Sequence, residues 1–258
     1  MQVLAVTRMF RAVVDARIPT ETLDAIAVHQ RIQPLIERLH EIQPRLRNWV
    51  EHSRGNGPIP YADKERFIEM LAFNAEQDQQ EHPGCPAASG AGTSLTTALT
   101  ARDWKTPGRT SIDYTPWCGK LTLTVRRPIE AFGSEDAALT IRKCVAAVAT
   151  TLDTSFIATD VVCPTATGKG YETYYLNHKL FPHRRWLGWM GFVPELVPRK
   201  FIPEAAAMEV VKGRGTIIVA VDEPFDLRNP DHLKRVHQVE LRMANAGLLD
   251  VIDPSLLE

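Results

Sequence analysis

The chain has 258 residues, of which 44% are hydrophobic and 24% are charged, and its formal net charge is -1. These proportions are typical of a globular protein with a substantial core and exclude an intrinsically disordered chain. The near-neutral charge excludes a global positive field for nucleic acid or anionic lipid, and no run of about 18 apolar residues could span a membrane.

The N-terminus and the cysteines predict the compartment. Residues 1–8 carry no basic residue ahead of their apolar stretch, so a signal peptide is not predicted. The cysteines are far apart and form no Cys-x-x-Cys pair, which disfavours a disulfide or zinc framework. We therefore predict a cytoplasmic protein with reduced thiols and without a metal or cofactor. The cysteines are Cys85, Cys118, Cys144 and Cys163.

The first elements are a short strand over residues 3–6 and a long helix. Thr20 or Thr22 can cap this helix, whose apolar residues up to position 42 follow helical spacing. Pro34 lies inside the pattern, so the helix is either kinked there or divided into two. Pro44 is expected to end it.

A second helix is predicted from Asp63, because Phe67, Met70 and Leu71 form one apolar face. The segment 82–93 that follows is rich in proline, glycine and small residues and offers little to pack. We predict a mobile, dispensable loop there, within a single domain over residues 1–258.

After this segment, apolar and polar residues alternate with a period of two residues. Leu121, Leu123 and Val125 alternate with polar residues and predict a strand with one wet face, and residues 95–99 and 111–115 are expected to pair with it as a meander.

The remaining elements are two helices and a strand. Ser134 is predicted to be the N-cap of a helix with an apolar stripe. Residues 216–221 are continuously apolar and predict a buried strand. Asn229 and Pro230 supply the cap and first residue of the final helix, and Gly247 suits its end. The irregular order of helices and strands favours an α+β fold, with a mixed, mostly antiparallel sheet packed against several helices.

The sequence lacks the local signatures of several known catalytic and binding sites. Residues 168–169 (Gly-Lys) lack the upstream glycine and following hydroxyl of a phosphate-binding loop, and residues 90–92 lack the third glycine of a dinucleotide site. Ser89 lacks the upstream glycine of a nucleophile elbow. Histidines five residues apart do not share a helix face as metal ligands four apart do; these pairs are His178 with His183 and His232 with His237. No catalytic or metal-binding residue is predicted.

Residues 181–192 combine arginines, tryptophans and glycines. Such a segment can stack on bases or anchor a protein interface. Alternatively, Trp186 and Trp189 fill the core beside a glycine-kinked strand, with Arg184 and Arg185 solvated. We favour the core for Trp189, because tryptophan is highly buried on average, and nucleic-acid binding is not predicted.

Acidic residues are concentrated in two regions. Most such runs are solvated helix faces, but an acidic face can also meet a basic partner and speed association. We predict a partner-binding surface in the first region, ahead of the second. The residues are Glu65, Glu69, Glu76 and Asp78 in the first region and Asp222, Glu223 and Asp226 in the second.

Several short patterns in the C-terminal third resemble, in their order, the immunity protein 52 family of bacterial polymorphic toxin systems. The patterns are RWLGWM at 185–190, GTIIV at 215–219, EPF at 223–225, NPDH at 229–232 and VELR at 239–242. The resemblance covers about residues 171–250 and carries no catalytic residue. We assign its shared positions to architecture: Trp186, Gly188, Trp189, Gly215, Asn229 and Pro230.

The resemblance implies a cytoplasmic antitoxin whose partner is a secreted toxin, often a nuclease with a restriction-endonuclease-type fold. The leading hypothesis is a stoichiometric inhibitor that occludes the toxin's active site. One alternative is an enzyme with a dispersed site, such as a hydrolase that uses His178, His183 or Cys163. Another is a structural subunit of a secretion system.

Overall fold

The computed structural model describes residues 9–53, 57–85, 90–165 and 167–257. In this part of the chain, eleven strands form one open sheet and six α-helices surround it, so the predicted α+β class is confirmed. The strands are β1 (Arg11–Arg17), β2 (Val50–Ser53), β3 (Gly57–Pro60), β4 (Thr93–Thr96), β5 (Thr110–Thr115), β6 (Lys120–Arg126), β7 (Phe156–Pro164), β8 (Tyr171–Thr173), β9 (Met190–Val193), β10 (Ala207–Val211) and β11 (Gly215–Val219). The helices are α1 (Ala25–Ile42), α2 (Lys64–Glu81), α3 (Pro128–Phe132), α4 (Ser134–Thr151), α5 (Tyr174–Asn177) and α6 (Pro230–Asn245). No helix in the described ranges is long and apolar enough to cross a membrane.

The sheet order is β10-β11-β9-β7-β1-β6-β5-β4-β2-β3, with β8 paired to β7. Every pair of these strands is antiparallel. β1 is central, because β6 pairs with one of its edges and β7 with the other. Strands from both sides of segment 82–93 therefore belong to one sheet.

Helices α1 and α4 cover one face of the sheet. α4 packs against both α1 and β1. Ala12, Val14 and Ala16 of β1 are completely buried, as are Leu121 and Leu123 on β6. Since side chains alternate along a strand, the other residues of β1 and β6 lie on the opposite face. The main core therefore lies between the sheet and these two helices.

The N-terminal part differs from the sequence prediction. The strand expected over residues 3–6 lies outside the described residues, and the first described strand is β1. Asp24 caps α1 in place of Thr20 or Thr22, and its side chain accepts a hydrogen bond from the Ala27 amide at 2.8 Å. α1 continues through Pro34 as one helix and ends before Pro44, as expected.

The later elements largely confirm the predictions. α2 begins directly after Asp63 and buries Phe67, Met70 and Leu71, and β4, β5 and β6 form the expected meander. Gly133, rather than Ser134, is the N-cap of α4. The Asn229 side chain caps α6 by accepting from the Asp231 amide at 3.0 Å.

Segment 82–93 is not a loop along its whole length. Residues 86–89 lie outside the described residues, but residues 90–93 are packed. Ala91 is buried and its amide donates to the Leu23 carbonyl at 2.8 Å. A Cβ on Gly92 would lie 2.4 Å from the Trp117 ring, and Thr93 begins β4. Removal of residues 90–93 would therefore damage the core, which corrects the prediction that the full segment is dispensable.

Candidate interaction surface

The sheet has a second face, here called the open face, which points away from α1 and α4. On β1 it carries the alternating residues Arg11, Val13, Asp15 and Arg17, none of which is fully buried. A groove of about 380 Å³ lies on this face. It is lined by Val13, Asp15, Arg17, Lys120, Phe156, Ala158, Asp160, Tyr175, Arg185, Trp186 and Ile252.

The groove combines balanced charges with aromatic rings. Lys120 pairs with Asp15 at 3.3 Å, and the Trp186 and Tyr175 rings lie 5.4 Å apart. Asp160 accepts from the Val161 amide at 2.8 Å and the Tyr175 amide at 3.2 Å. Burial nevertheless raises the pKa of Asp160, and the backbone hydrogen bonds oppose the rise. The groove is a preformed surface with few free charges.

Beside the groove, three arginines form a cross-strand row on the open face, here called the arginine row. Arg11 on β1 lies opposite Arg126 on β6, and backbone hydrogen bonds place Arg109, just before β5, opposite Arg126. Burial, followed by the neighbouring charges of Arg126 and Arg11, lowers the pKa of Arg109. The row is a local concentration of positive charge that the overall net charge conceals.

The first predicted acidic region lies on α2. Glu65, Glu69 and Glu76 are exposed and fall within about 40° of one another on the helix, opposite the buried face. Asp78 is also exposed but projects from a different side of α2. α2 packs against β3, at one edge of the sheet. The three glutamates therefore form an acidic stripe, which Asp78 does not join.

The second acidic region follows β11, near the opposite edge of the sheet, so the two regions do not meet. Glu223 pairs with His232 at 2.9 Å, and Asp226 accepts from the Arg228 amide at 2.9 Å. Asp222 is exposed. Glu223 and Asp226 thus stabilise the N-terminal end of α6.

Comparison with known families identifies the C-terminal part of the chain. Residues 138–252 match the family described as immunity protein 52. The match covers slightly less than half of the chain. The match begins earlier than the resemblance seen in the sequence and includes most of α4 and all of β7.

The other comparisons add little to this match. The fold is similar to the Pseudomonas aeruginosa T6SS protein PA0821, with a TM-score of 0.47 and 10% sequence identity over 90% of this chain and 73% of that chain. A similarity of this size assigns no function. No curated protein matches the sequence significantly.

The tryptophans and glycines of the short sequence patterns lie within the matched residues. Trp189 is completely buried, as expected, and its Nε1 donates to the Val221 carbonyl at 2.8 Å. A Cβ on Gly188 would lie 2.4 Å from the Thr159 carbonyl oxygen, and one on Gly215 would lie 2.1 Å from that of Val193. Trp186 differs, since it is only half-buried and lines the groove.

Glu240, in the VELR pattern, has a role that sequence reasoning missed. Its side chain on α6 is only 1% exposed. The carboxylate accepts hydrogen bonds from the Leu187 and Gly188 amides, at 2.8 and 3.1 Å, and from the Tyr174 hydroxyl at 2.8 Å. It therefore ties α6 to the segment that precedes β9. Its position at the margin of the apolar stripe of α6 is the sequence feature that could have indicated its burial.

Two of the residues considered for an enzyme, Cys163 and His178, lie near Glu172 on β8. Cys163 is buried, and burial raises the pKa of its thiol to about 11, which disfavours a thiolate nucleophile. His178 lies 3.8 Å from Glu172, while His183 packs against the Phe181 ring. No group of three or more potential metal ligands occurs in the described ranges.

Proposed function

We propose that this protein is an immunity protein that binds a cognate secreted toxin mole for mole and occludes its active site. The observation that supports this function is the immunity protein 52 match over residues 138–252. The continuous sheet and its exposed surfaces suit binding, because a preformed surface loses little conformational freedom when a partner docks.

A nuclease with a restriction-endonuclease-type fold is the proposed toxin. A nuclease presents a basic groove to its substrate, and the acidic stripe of Glu65, Glu69 and Glu76 offers the complementary charge. The stripe is the first candidate for the contact, ahead of the region around Asp222.

The proposed site of action is the cytoplasm of the producing cell. Cys85 and Cys118 are exposed free thiols, and Cys144 and Cys163 are buried ones. Unpaired exposed cysteines suit a reducing compartment, where thiols stay reduced. The toxin would be neutralised there before it reaches its substrate.

Titration into a fixed amount of the cognate toxin tests this function. We expect toxin activity to fall linearly and to reach zero near one equivalent, because toxin and immunity pairs can approach a Kd of about 10⁻¹³ M. The measurement is residual toxin activity against molar ratio.

The same titration distinguishes binding from catalysis. A detoxifying enzyme would give time-dependent protection at a hundredfold molar deficit, and that result would reject the proposal. A variant with His178→Gln and His183→Gln, which removes both histidines of the enzyme hypothesis, should keep the break at the same ratio.

A further inference from the structure

We infer that the arginine row (Arg11, Arg126 and Arg109) is a docking surface for a short acidic segment of a partner protein. The three arginines lie outside the family-matched residues and are separate from the acidic stripe of α2. The inference holds whether that partner is the toxin or another protein, because it rests only on the charges and contacts described below.

The three like charges of the row repel one another. Arg11 and Arg126 are direct cross-strand partners, and Arg109 follows on the next strand, since Gly108 donates to the Arg126 carbonyl at 2.7 Å and Arg126 donates to the Arg109 carbonyl at 2.9 Å. Directly opposed side chains have Cβ atoms about 5 Å apart, where like charges destabilise a sheet. Three arginines in one row indicate a function that offsets this cost.

No carboxylate among the described residues forms an ion pair with the row, although the nearby charges of Asp113 and Glu130 partly compensate those of Arg109 and Arg126. In the described part of the chain, none of the three arginines is in an ion pair, and their buried Nε atoms have no hydrogen-bond acceptor. The residues outside the described ranges include a single acidic side chain, Glu258. Neighbouring Arg127, by contrast, pairs with Glu130 at 3.0 Å. The row therefore retains unused capacity to bind carboxylates.

Aromatic rings hold the guanidinium groups in place. Arg126 lies over the Phe10 ring at 4.3 Å, and Arg109 lies over the Trp104 ring at 4.8 Å. Tyr171 packs against Phe10 at 4.8 Å. Trp104 is 42% exposed and Tyr171 is 55% exposed. Exposed tryptophan and tyrosine beside arginine form the side-chain composition of binding hot spots in protein interfaces.

The charge pattern of the open face favours a protein over a nucleic acid. Four residues further along each strand, Asp15 and Asp113 occupy one cross-strand row, both opposite Thr122. Four residues of strand correspond to about 13 Å. Because Asp15 is paired with Lys120 at 3.3 Å, a continuous phosphate backbone that crosses the arginine row in this direction would be repelled mainly by the Asp113 carboxylate, whereas a short acidic segment can contact the arginines alone.

Fluorescence anisotropy with a labelled hexaglutamate peptide tests the inference in low-salt buffer. Replacement of two row residues, Arg11→Gln with Arg126→Gln, is expected to weaken peptide binding by at least about tenfold, because charge-assisted hydrogen bonds to carboxylates are lost. The control Lys212→Gln with Lys234→Gln removes two exposed charges elsewhere and should change the affinity by less than about twofold. Labelled hexathymidylate should bind more weakly than the peptide.

Thermal unfolding of the same variants separates docking from a structural role. The Arg11→Gln, Arg126→Gln variant should melt at or above the temperature of the wild type, because like-charge repulsion is relieved. A lower melting temperature with unchanged peptide affinity would overturn the inference. Equal losses in both double variants, tighter binding of hexathymidylate, or no saturable peptide binding to the wild type would also overturn it. Arg126→Gln alone provides the comparison if the double variant does not fold.

Discussion

Glu240 is a buried carboxylate that organises its surroundings through three hydrogen bonds. Two of its donors are consecutive backbone amides, Leu187 and Gly188, in a segment without regular secondary structure. Buried backbone amides need an acceptor, and neither of these two donates a hydrogen bond to a neighbouring strand. Glu240 thus replaces a strand partner, and its carboxylate fixes the position from which Trp189 enters the core.

Burial also makes the contribution of Glu240 to stability dependent on pH. Burial raises the pKa of its carboxyl group, so the folded protein keeps a proton over a pH range in which the unfolded chain has lost it. Stability from this group is therefore lost as pH rises above the unfolded pKa of about 4.3. Relative to Glu240→Gln, the wild type should therefore lose unfolding free energy as the pH rises from about 4 to about 8, a range that begins below the unfolded pKa. Urea denaturation at both values measures it, and a constant difference would contradict the assignment.

Trp189 is expected to be a major determinant of stability. Trp189→Ala should lower the unfolding free energy by about 3 to 5 kcal/mol, because it removes a fully buried aromatic side chain. Phe73 on α2 is 56% exposed, so Phe73→Ala should cost less than about 0.5 kcal/mol. Urea denaturation checks both values. Normal stability of Trp189→Ala combined with loss of toxin binding would place Trp189 in the interface instead.

The burial of Trp189 and the cap of α6 could be predicted from the sequence, whereas the burial of Glu240 could not. The burial of Trp189 follows from its size and apolar ring, and the cap of α6 follows from Asn229 and Pro230. The burial of Glu240 does not follow, because glutamate is almost never fully buried unless it is paired. Its donors belong to a distant segment that only the tertiary structure brings near.

At the level of the elements, α2 presents its acidic stripe opposite the face that it buries. Reversal of Glu65, Glu69 and Glu76 to lysine should slow association with the toxin and reverse the sign of its salt dependence, while stability changes little. Asp78→Lys is the control for each single reversal in the stripe, because it changes the charge by the same amount on another side of the helix. Stopped-flow kinetics at several salt concentrations measures the effect. Unchanged association after the triple reversal would remove this surface from consideration.

The turn before β9 depends on a glycine for close packing against β7. Gly188 has a φ of +67°, and an added Cβ would lie 2.4 Å from the Thr159 carbonyl oxygen. Gly213 has a similar φ of +72°, but nothing lies within 4 Å of an added Cβ. Gly213→Ala should therefore cost about 1 to 2 kcal/mol from the left-handed conformation alone, and Gly188→Ala should cost more. Equal losses in thermal or urea unfolding would show that the contact is unimportant.

Local patterns predicted most helices and the meander but missed two central strands. β7 has apolar residues on both faces and contains Asp160, so it lacks strict alternation. β1 alternates with arginine, valine and aspartate on its open face, and Val13 and Val14 are adjacent. Both strands are defined mainly by pairing, which sequence periodicity does not record.

For the whole molecule, the candidate surfaces depend on topology. Arg11, Arg109 and Arg126 are distributed over more than a hundred residues and become neighbours only because β6 lies between β1 and β5. No local motif connects them, and the net charge of -1 hides them. The acidic stripe, by contrast, lies within one helix and was predictable from spacing.

The central position of β1 also bears on how the chain acquires its structure. Its two neighbours, β6 and β7, follow more than a hundred residues later, so β1 cannot be enclosed in the sheet until most of the chain has left the ribosome. Pairings between such distant segments are formed slowly, because a long loop must close first. During synthesis, both edges of β1 remain unpaired and exposed to aggregation or chaperone binding. The protein is proposed to neutralise a toxin in the cell that makes both. Protection would then begin only after β1 has paired with β6 and β7, and so later than the synthesis of the chain.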